Sequence, residues 1–360
     1  MGIVNATGDA TAAVVDRPES ITPGWLNAVL REAGRDVEVT AVRCEPVGTG
    51  QMGRSVRLHL EGSLGDLPAT LVAKLPAEDE TRRAIVAGIY RTEVEFYRSL
   101  APTLTVRTPA LHHSELSQDH TCFVLLLEDL APRVQGDQLT GCTPEMAEVA
   151  VQNLAGLHGP RWCDPTLCEL DWLSAIDREG AEMVGAVTAD ATGRFLERYE
   201  GRITDEDVRL LRSLPEALPG WVLSRPERFA PLHGDYRLDN LMFGEGPDPV
   251  AAVDWQTVTL GLPGRDLAYF LGTGLDADLR RRHEEHLVER YHAALIAQGV
   301  SDHGAEQCWD DYRFGMLQGP LITIVGAAYG EVTARGDEMF LAMSARSCAA
   351  IRDLRTLDLL

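Results

Sequence analysis

The stretch Leu232–Gly244, LHGDYRLDNLMFG, contains three polar side chains whose spacing indicates a particular chemistry. His233, Asp235 and Asn240 follow an H-x-D-x-x-x-x-N pattern. Asp235 can accept the proton of an attacking hydroxyl group, and Asn240 can offer an amide oxygen to a metal ion. Asp254 ends the apolar run of VAAVDWQ, and its carboxylate is a second hard oxygen donor that suits Mg²⁺ completed by phosphate and water. Each residue alone also fits ordinary turn chemistry.

The only lysine of the chain, Lys74, lies in the apolar run LVAKLP, and the rest of the Lys-plus-Arg total of 33 is arginine. Arginine does not replace lysine where a compact point charge is required. Because the flanking residues bury this strand, the ammonium needs an anionic partner unless its stem snorkels to water. Glu93 and Glu95 of the next predicted helix point about 200° apart, so one of them faces the strand. Glu93 is favoured because Phe96 and Tyr97 would pack beside it, and Glu95 stays open.

The segment GTGQMG supplies three glycines, Gly48, Gly50 and Gly53, in a G-x-G-x-x-G pattern. A dinucleotide-binding turn of this pattern opens a helix. Here the glycines precede RSVRLHL, whose alternation of apolar and polar residues predicts a strand. The glycines therefore lie in a predicted hairpin, where they either cover nucleotide phosphates, as in kinases, or form a turn without a ligand.

Five motifs occur in the order found in kinases. They are the glycine hairpin, the lysine on a strand, the glutamate on a helix, the HGDYRLDN loop and the aspartate at the end of a strand. HGDYRLDN, with Gly rather than Arg after His, resembles the catalytic motif of the aminoglycoside phosphotransferase and choline-kinase-like superfamily. VLLLEDL resembles the hinge of that superfamily, LAGLHGPRW its following helix, and GRDLAYFL the segment after the metal-binding Asp. The resemblance spans roughly Pro46 to Leu271. It implies the bilobal, α+β, protein-kinase-like fold with ATP or GTP bound between the lobes.

The resemblance also implies a role for each matching residue. Asp235 is expected to be the catalytic carboxylate, and Asn240 and Asp254 the Mg²⁺ ligands. Lys74, paired with Glu93, is expected to contact the α- and β-phosphates. The remaining implied groups are the glycine loop at Gly48, Gly50 and Gly53, the main chain around Glu128 and Leu130 that holds the base, and Asp266, which braces the catalytic loop.

The order of the predicted elements divides the chain into three regions. Residues 1–18 are expected to form a flexible tail, and residues 19–127 a small β-rich, nucleotide-binding lobe with one long helix. Residues 128–360 are expected to form a larger helical lobe with the catalytic loop and the acceptor-binding region. The segment with His112, His113 and His120 predicts a solvated loop, because it lacks a ligand-type helical spacing.

The net charge of −22 argues against a nucleic-acid partner, which needs a basic face. No apolar run approaches the roughly 18 residues of a membrane span, and no signal-peptide pattern opens the chain. Seven cysteines without regular spacing fit reduced thiols, and a cytoplasmic location is expected. Four acidic residues favour either a solvated surface or a pocket for a cationic acceptor: Asp310, Asp311, Glu331 and Asp337.

Together the motifs predict a Mg²⁺-dependent small-molecule kinase that moves the γ-phosphoryl group of ATP or GTP to an acceptor hydroxyl. A nucleotide-binding pseudoenzyme and a protein kinase are the alternatives. Trp255 and Gln256 stand where a protein kinase has Phe and Gly, and no A-P-E segment follows, which disfavours a protein substrate. The segment EDL…GDQLTGC and the length of the chain resemble the ecdysteroid-kinase-like branch, and the sequence names neither the acceptor nor the oligomeric state.

Overall fold

The computed structural model describes residues 14–48 and 52–360. The chain divides into two compact units. The first contains the described residues up to Val94 together with Ala110–Asp129. The second contains Glu95–Pro109 and Leu130–Leu360.

The first unit is an antiparallel sheet with two helices. Its strands are β1 (Glu38–Val47), β2 (Gly53–Ser63), β3 (Thr70–Pro76), β4 (Leu111–Leu116) and β5 (Phe123–Glu128), and its helices are α1 (Pro23–Glu32) and α2 (Glu80–Glu95). The strand order is β1-β2-β3-β5-β4, so β3 is central. In the register of the sheet, Lys74 lies between Ser55 of β2 and Leu125 of β5.

Apolar residues at helical and strand spacing build the core of this unit. Leu26 and Leu30 of α1 pack in one cluster with buried leucines of β2, β3 and β5. The N–H of Trp25 donates to the side chain of Thr22, which caps α1, and Pro23 occupies the first helical position. The sheet thus gains a helix on its apolar face, and the register that places Lys74 is fixed by this burial.

The prediction of a solvated loop around His112 and His113 is wrong. Both residues lie in β4, which pairs with β5, and both are partly buried. The segment LHHSEL has too few apolar residues to signal a strand, and its pairing with the strongly apolar β5 decides its conformation.

The second unit is mainly helical. Its helices are α3 (Pro144–His158), α4 (Arg178–Arg198), α5 (Asp205–Leu223), α6 (Gly264–Gly274), α7 (Ala277–Ala297), α8 (Ala305–Phe314), α9 (Gln318–Tyr329) and α10 (Ala334–Asp353). Its short strands are β6 (Val134–Gln135), β7 (Ala230–Leu232), β8 (Leu241–Phe243), β9 (Val250–Ala252) and β10 (Thr259–Gly261). They form two small sheets, β6-β8-β9 and β10-β7.

Helix α6 is the central element of this unit, because every one of its residues is buried. Asp266 and Tyr269 lie three positions apart and therefore project from neighbouring points on one face. No helix in the described part of the chain is long and apolar enough to cross a membrane. All seven cysteines are free thiols.

Candidate active site

A buried carboxylate holds the start of the loop 233–240. His233 N donates to Asp266 Oδ2 at 2.6 Å, and Gly234 N donates to Asp266 Oδ1 at 3.0 Å. Burial alone would raise the pKa of Asp266, but the hydrogen bond from His158 and the loop N–H groups outweigh it, and this pKa lies below its ordinary value. Asp266 therefore fixes the loop as an ionised acceptor.

Gly234 is required by the shape of this loop. Its φ is +80°, and a Cβ at this position would lie 2.6 Å from Thr257 O. A larger residue would be strained in the left-handed region and would collide with the backbone. The glycine in HGDYRLDN is thus explained by a close approach of two backbone segments.

Three side chains hold the carboxylate of Asp235. Tyr269 OH donates to Oδ1 at 2.8 Å, while Asn240 Nδ2 and Arg237 Nε donate to Oδ2 at 3.0 and 3.2 Å. Asn240 Nδ2 also donates to the main-chain oxygen of Asp235 at 2.9 Å. The Asp235 side chain nevertheless remains 24% exposed. The carboxylate is therefore fixed in orientation and still accessible to a ligand.

The hairpin β8–β9 brings Asn240 and Asp254 together. Leu241 pairs with Ala252, and Val253 N donates to Asn240 O at 2.9 Å, so Asp254 follows directly after the last bonded pair. Asp254 has a φ of +68°, a left-handed conformation that turns the chain away from β9. Gln256 Nε2 donates to Asp254 Oδ2 at 3.4 Å.

The two residues fit a hard divalent cation. Since the amide nitrogen of Asn240 is engaged by Asp235, its amide oxygen is the atom that can ligate. One amide oxygen and one carboxylate match the few protein ligands that Mg²⁺ takes when phosphate and water supply the others. Within residues 14–48 and 52–360, no group of three or more His, Cys, Asp or Glu could hold a metal ion.

A chain of charges extends from Asp235 to the start of α10. Arg237 Nη1 contacts Asp239 Oδ2 at 2.7 Å, and Arg335 donates to both oxygens of Asp239 at 3.2 and 3.0 Å. Arg335 also reaches Asp137 at 2.8 Å. Burial would raise the pKa of Asp239, but Arg335 and Arg237 outweigh it and lower this pKa. The carboxylates of Asp239 and Asp137 are therefore paired with arginine.

Trp255, directly after Asp254, is a packing anchor. Its fully buried ring stacks on Phe96 with centroids 4.0 Å apart and planes at 8°. Its Nε1 donates to Ala252 O at 3.1 Å, and the ring of His233 lies 4.6 Å away. The anchor fixes the strand end that carries Asp254.

In the first unit, Lys74 and Glu93 form an ion pair. Lys74 Nζ lies 2.7 Å from Glu93 Oε1, with 15% and 2% of the two side chains exposed. Glu95 instead accepts from Arg98 at 3.3 Å and is more exposed. The choice between the two glutamates that the sequence leaves open falls on Glu93 in the structure.

The predicted glycine loop is described only in part. Gly50 lies outside the described residues. Gly48 follows the last residue of β1 with a φ of +72°, and a Cβ on Gly53 would lie 2.8 Å from Leu75 O. Tyr90 of α2 donates to Met52 O at 2.6 Å, which ties the start of β2 to the helix that carries Glu93.

The predicted hinge residues lie in different units. Glu128 ends β5, its N–H donates to Ala110 O at 2.9 Å, and its Oε2 accepts from Ala110 N at 3.0 Å. Leu130 opens the main part of the second unit, where its carbonyl oxygen accepts from Arg133 N at 2.9 Å.

The acidic residues considered for a cationic acceptor are largely engaged in ion pairs. Asp311 is buried and accepts from Arg225 and Arg228. Asp310 lies 2.8 Å from Arg225 Nη2. Asp337 accepts from Arg198 and Tyr199. Three of the four acidic residues are thus paired with arginine, while Glu331 is exposed. Sequence alone does not show which arginines fold against which carboxylates.

Two contributors to the site were not identified from the sequence, Tyr269 and Arg237. Tyr269 lies three residues after Asp266 in GRDLAYFL, and this helical spacing could have indicated that both face the loop. Arg237 lies inside the motif itself, but nothing in the spacing reveals that its guanidinium joins Asp235 to Asp239.

The chain belongs to the phosphotransferase enzyme family, whose family model matches residues 43–310. This confirms both the superfamily resemblance and the predicted phosphotransferase class. The structure is similar to a choline kinase from Cryptosporidium parvum, with a TM-score of 0.53 and 10% identity over 89% of this chain and 91% of that one. The likeness confirms the predicted α+β, kinase-like fold.

Two further similarities are more limited. The GDP complex of aminoglycoside 2'-phosphotransferase-IIIa has a TM-score of 0.50 and 14% identity, over 90% of this chain and 98% of that one. A stretch of 62 residues is 45% identical to mouse acyl-CoA dehydrogenase family member 10. That stretch is 17% of this chain and 5% of the mouse protein. The ecdysteroid-kinase-like branch stays a prediction.

Proposed function

We propose that the protein is a Mg²⁺-dependent small-molecule kinase that transfers the γ-phosphoryl group of ATP or GTP to a hydroxyl group of a small acceptor. The observation that carries the proposal is the carboxylate of Asp235, oriented by Tyr269, Arg237 and Asn240 and still partly exposed. A hydroxyl oxygen held beside this carboxylate is positioned for attack on phosphorus.

In the proposed reaction, Asp235 orients the acceptor hydroxyl and accepts its proton. The hydroxyl oxygen forms a bond to the γ-phosphorus, the bond to the bridging oxygen breaks, and a nucleoside diphosphate leaves. A loose phosphoryl-transfer transition state requires positioning of the hydroxyl group more than a strong base. Bound at Asn240 and Asp254, Mg²⁺ would neutralise charge on the phosphates.

For the first unit we propose nucleotide binding. Lys74, held by Glu93, would contact the α- and β-phosphates, and the loop containing Gly48, Gly50 and Gly53 would cover them. The main chain at Glu128 and Leu130 would hold the base. The buried position of the Lys74–Glu93 pair supports this role, because a charge kept in an apolar strand costs free energy unless it is paired.

Two observations weigh against the alternatives. A protein kinase needs a long segment after the metal-binding aspartate, whereas here α6 begins at Gly264, soon after Asp254. A pseudoenzyme would lack the base or the metal ligands, whereas Asp235, Asn240 and Asp254 are all present. The free thiols also support the proposed cytoplasmic location.

The test measures ADP and GDP release by the purified protein with Mg²⁺ and a panel of hydroxylated acceptors. Acceptor-dependent release that disappears in Asp235→Ala supports the proposal. The matched control is Asp248→Ala, because Asp248 is an exposed aspartate in the turn of the same β8–β9 hairpin. Equal release by the wild type and Asp235→Ala would refute the assignment.

A further inference from the structure

A cluster of apolar side chains lies next to the proposed catalytic carboxylate. Tyr269, whose hydroxyl bonds Asp235, belongs to a buried apolar cluster with Met339 and Met343 of α10. Met339 Sδ also lies 3.4 Å from Arg237 Nη1. Leu139, Ile322 and Phe340 pack on this cluster and are only partly buried. We call these six residues the apolar cluster.

The partly buried members of the apolar cluster give it an accessible edge. Ile322 lies on α9 and Phe340 on α10, and the ring of Phe340 packs over Gly326 of α9. At the end of α9 and in the turn before α10, Tyr329 and Val332 are exposed by 50% and 69%. Apolar side chains are thus partly or largely exposed on α9, on α10 and in the turn between these helices.

The carboxylates around this surface are neutralised in pairs. Arg237 and Arg335 engage Asp239, and Arg335 also engages Asp137. On the first turns of α10, Asp337 accepts from Arg198 and Tyr199. The next residue, Glu338, accepts from Arg202 at 2.9 Å through both of its oxygens.

The local charge therefore differs from that of the whole chain. The chain carries −22, which by itself would attract cations. Around the start of α10, however, four carboxylates, Asp137, Asp239, Asp337 and Glu338, pair with four arginines, Arg198, Arg202, Arg237 and Arg335. A polycationic acceptor would have to compete with these guanidinium groups for the four carboxylates, and with Arg237 for Asp235 as well.

The geometry points to an acceptor that is an uncharged alcohol with an apolar body, its hydroxyl at Asp235 and its body on the apolar cluster. This inference rests on the proposed function and names its substrate class. Binding energy from an apolar body far from the reacting oxygen helps to hold that oxygen in place. The acceptor class is thus inferred from the pairing of charges and from the partly buried side chains of Ile322 and Phe340.

A series of straight-chain primary alcohols, from butanol to decanol, tests this inference with ATP or GTP and Mg²⁺. The measurement is the phosphorylated alcohol formed and the kcat/KM for each chain length. Burying one methylene on an apolar surface should raise kcat/KM about three- to fourfold. A flat response to chain length, or preferred phosphorylation of choline or an aminoglycoside, would overturn the inference.

Two variants locate the effect on the surface. Ile322→Ala and Phe340→Ala should reduce the gain per methylene, while the KM for the nucleotide stays unchanged. Ile322 is tested beside Phe340 so that a folding defect in one variant leaves the other informative. Met183→Ala is the matched control, because Met183 is an exposed apolar residue of α4, outside the apolar cluster. An undiminished gain in both cluster variants would contradict the inference.

The outcomes separate this inference from the proposed function. Phosphorylation of a cationic acceptor that is lost in Asp235→Ala leaves the kinase standing and overturns only the acceptor class. No phosphorylation of any alcohol, with Mg²⁺-dependent hydrolysis of the nucleotide intact, also counts against the acceptor class. Loss of both nucleotide binding and hydrolysis in the wild type refutes the proposed function itself.

Discussion

The two ion-paired centres of this protein obtain their geometry in different ways. Lys74 is placed by the register of a central strand, and it meets Glu93 of α2 at 2.7 Å. Asp235 is placed by the side chains around it, Tyr269, Arg237 and Asn240. The contribution of Lys74 should therefore depend mainly on its being a lysine, whereas the orientation of Asp235 depends on its neighbours.

The largest expected effect comes from removing the carboxylate itself. Asp235→Ala should lower kcat by about 10²- to 10⁴-fold, the range of a lost general base. The nucleotide affinity should stay near the wild-type value, because the proposed phosphate contacts lie elsewhere. Steady-state kinetics and nucleotide titration check both parts, and a variant that retains most of its turnover would remove Asp235 from its role.

The second prediction tests whether the identity of Lys74 matters. Lys74→Arg keeps the charge but replaces a point charge with a larger planar group, so the phosphates should shift from their reactive position. A displacement of about 1 Å is enough to cost roughly 10²-fold in kcat/KM. Nucleotide-dependent kinetics measure this loss.

Arg54→Lys is the control for Lys74→Arg, because Arg54 is a partly exposed basic residue of β2 in the same sheet, paired with Glu78 at 2.7 Å. It should change kcat/KM little. Wild-type kinetics in Lys74→Arg would show that the single lysine of the chain has no special role.

A neighbour of Asp235 should have a smaller effect. Tyr269→Phe removes one hydrogen bond to a charged group, so kcat should fall roughly tenfold, with the KM for the nucleotide unchanged. Tyr236→Phe is the matched control, because its equally buried hydroxyl donates to Ala150 O instead of to Asp235. Equal kcat values in the two variants would show that Tyr269 does not orient the carboxylate.

The last predicted effect concerns the stability of the fold rather than the turnover. Asp266→Asn replaces an oxygen that accepts from a loop N–H with a donor, so the free energy of unfolding should fall by about 1–3 kcal/mol near neutral pH. Because the folded pKa of Asp266 is lowered from 3.8, its contribution is complete above pH 3.8 and is lost as the pH falls through the folded value.

Denaturant unfolding at several pH values checks this prediction. The difference in unfolding free energy between wild type and Asp266→Asn should shrink below pH 3.8. A constant difference across that range would show that the ionisation of Asp266 does not contribute to stability.

The sequence predicts those parts of the site whose residues lie within a single loop or strand. HGDYRLDN places Asp235 and Asn240 on one loop, and strand alternation places Lys74 in a buried strand. The kinase-like fold is implied by the resemblance of these motifs to those of the aminoglycoside phosphotransferase and choline-kinase-like superfamily. These features depend on local geometry, which a single sequence expresses directly.

Contacts between distant segments could not be predicted in the same way. Arg335 is 96 positions from Asp239, and its pairing depends on where α10 begins in the folded unit. From the sequence, Asp311 is expected on a solvated surface or in a pocket for a cationic acceptor, yet Arg225 and Arg228 fold against it. Which arginine meets which carboxylate is set by tertiary packing, and composition shows only that both are present.

The measurement that tests the central claim most directly follows label from γ-³²P-labelled ATP or GTP in the presence of Mg²⁺ and the alcohol series. Label should enter an organic phosphate with the wild-type protein and with Asp248→Ala, and not with Asp235→Ala. Label that reaches the acceptor equally in Asp235→Ala would contradict the catalytic role of Asp235, and label that appears only as inorganic phosphate would contradict the proposed acceptor class.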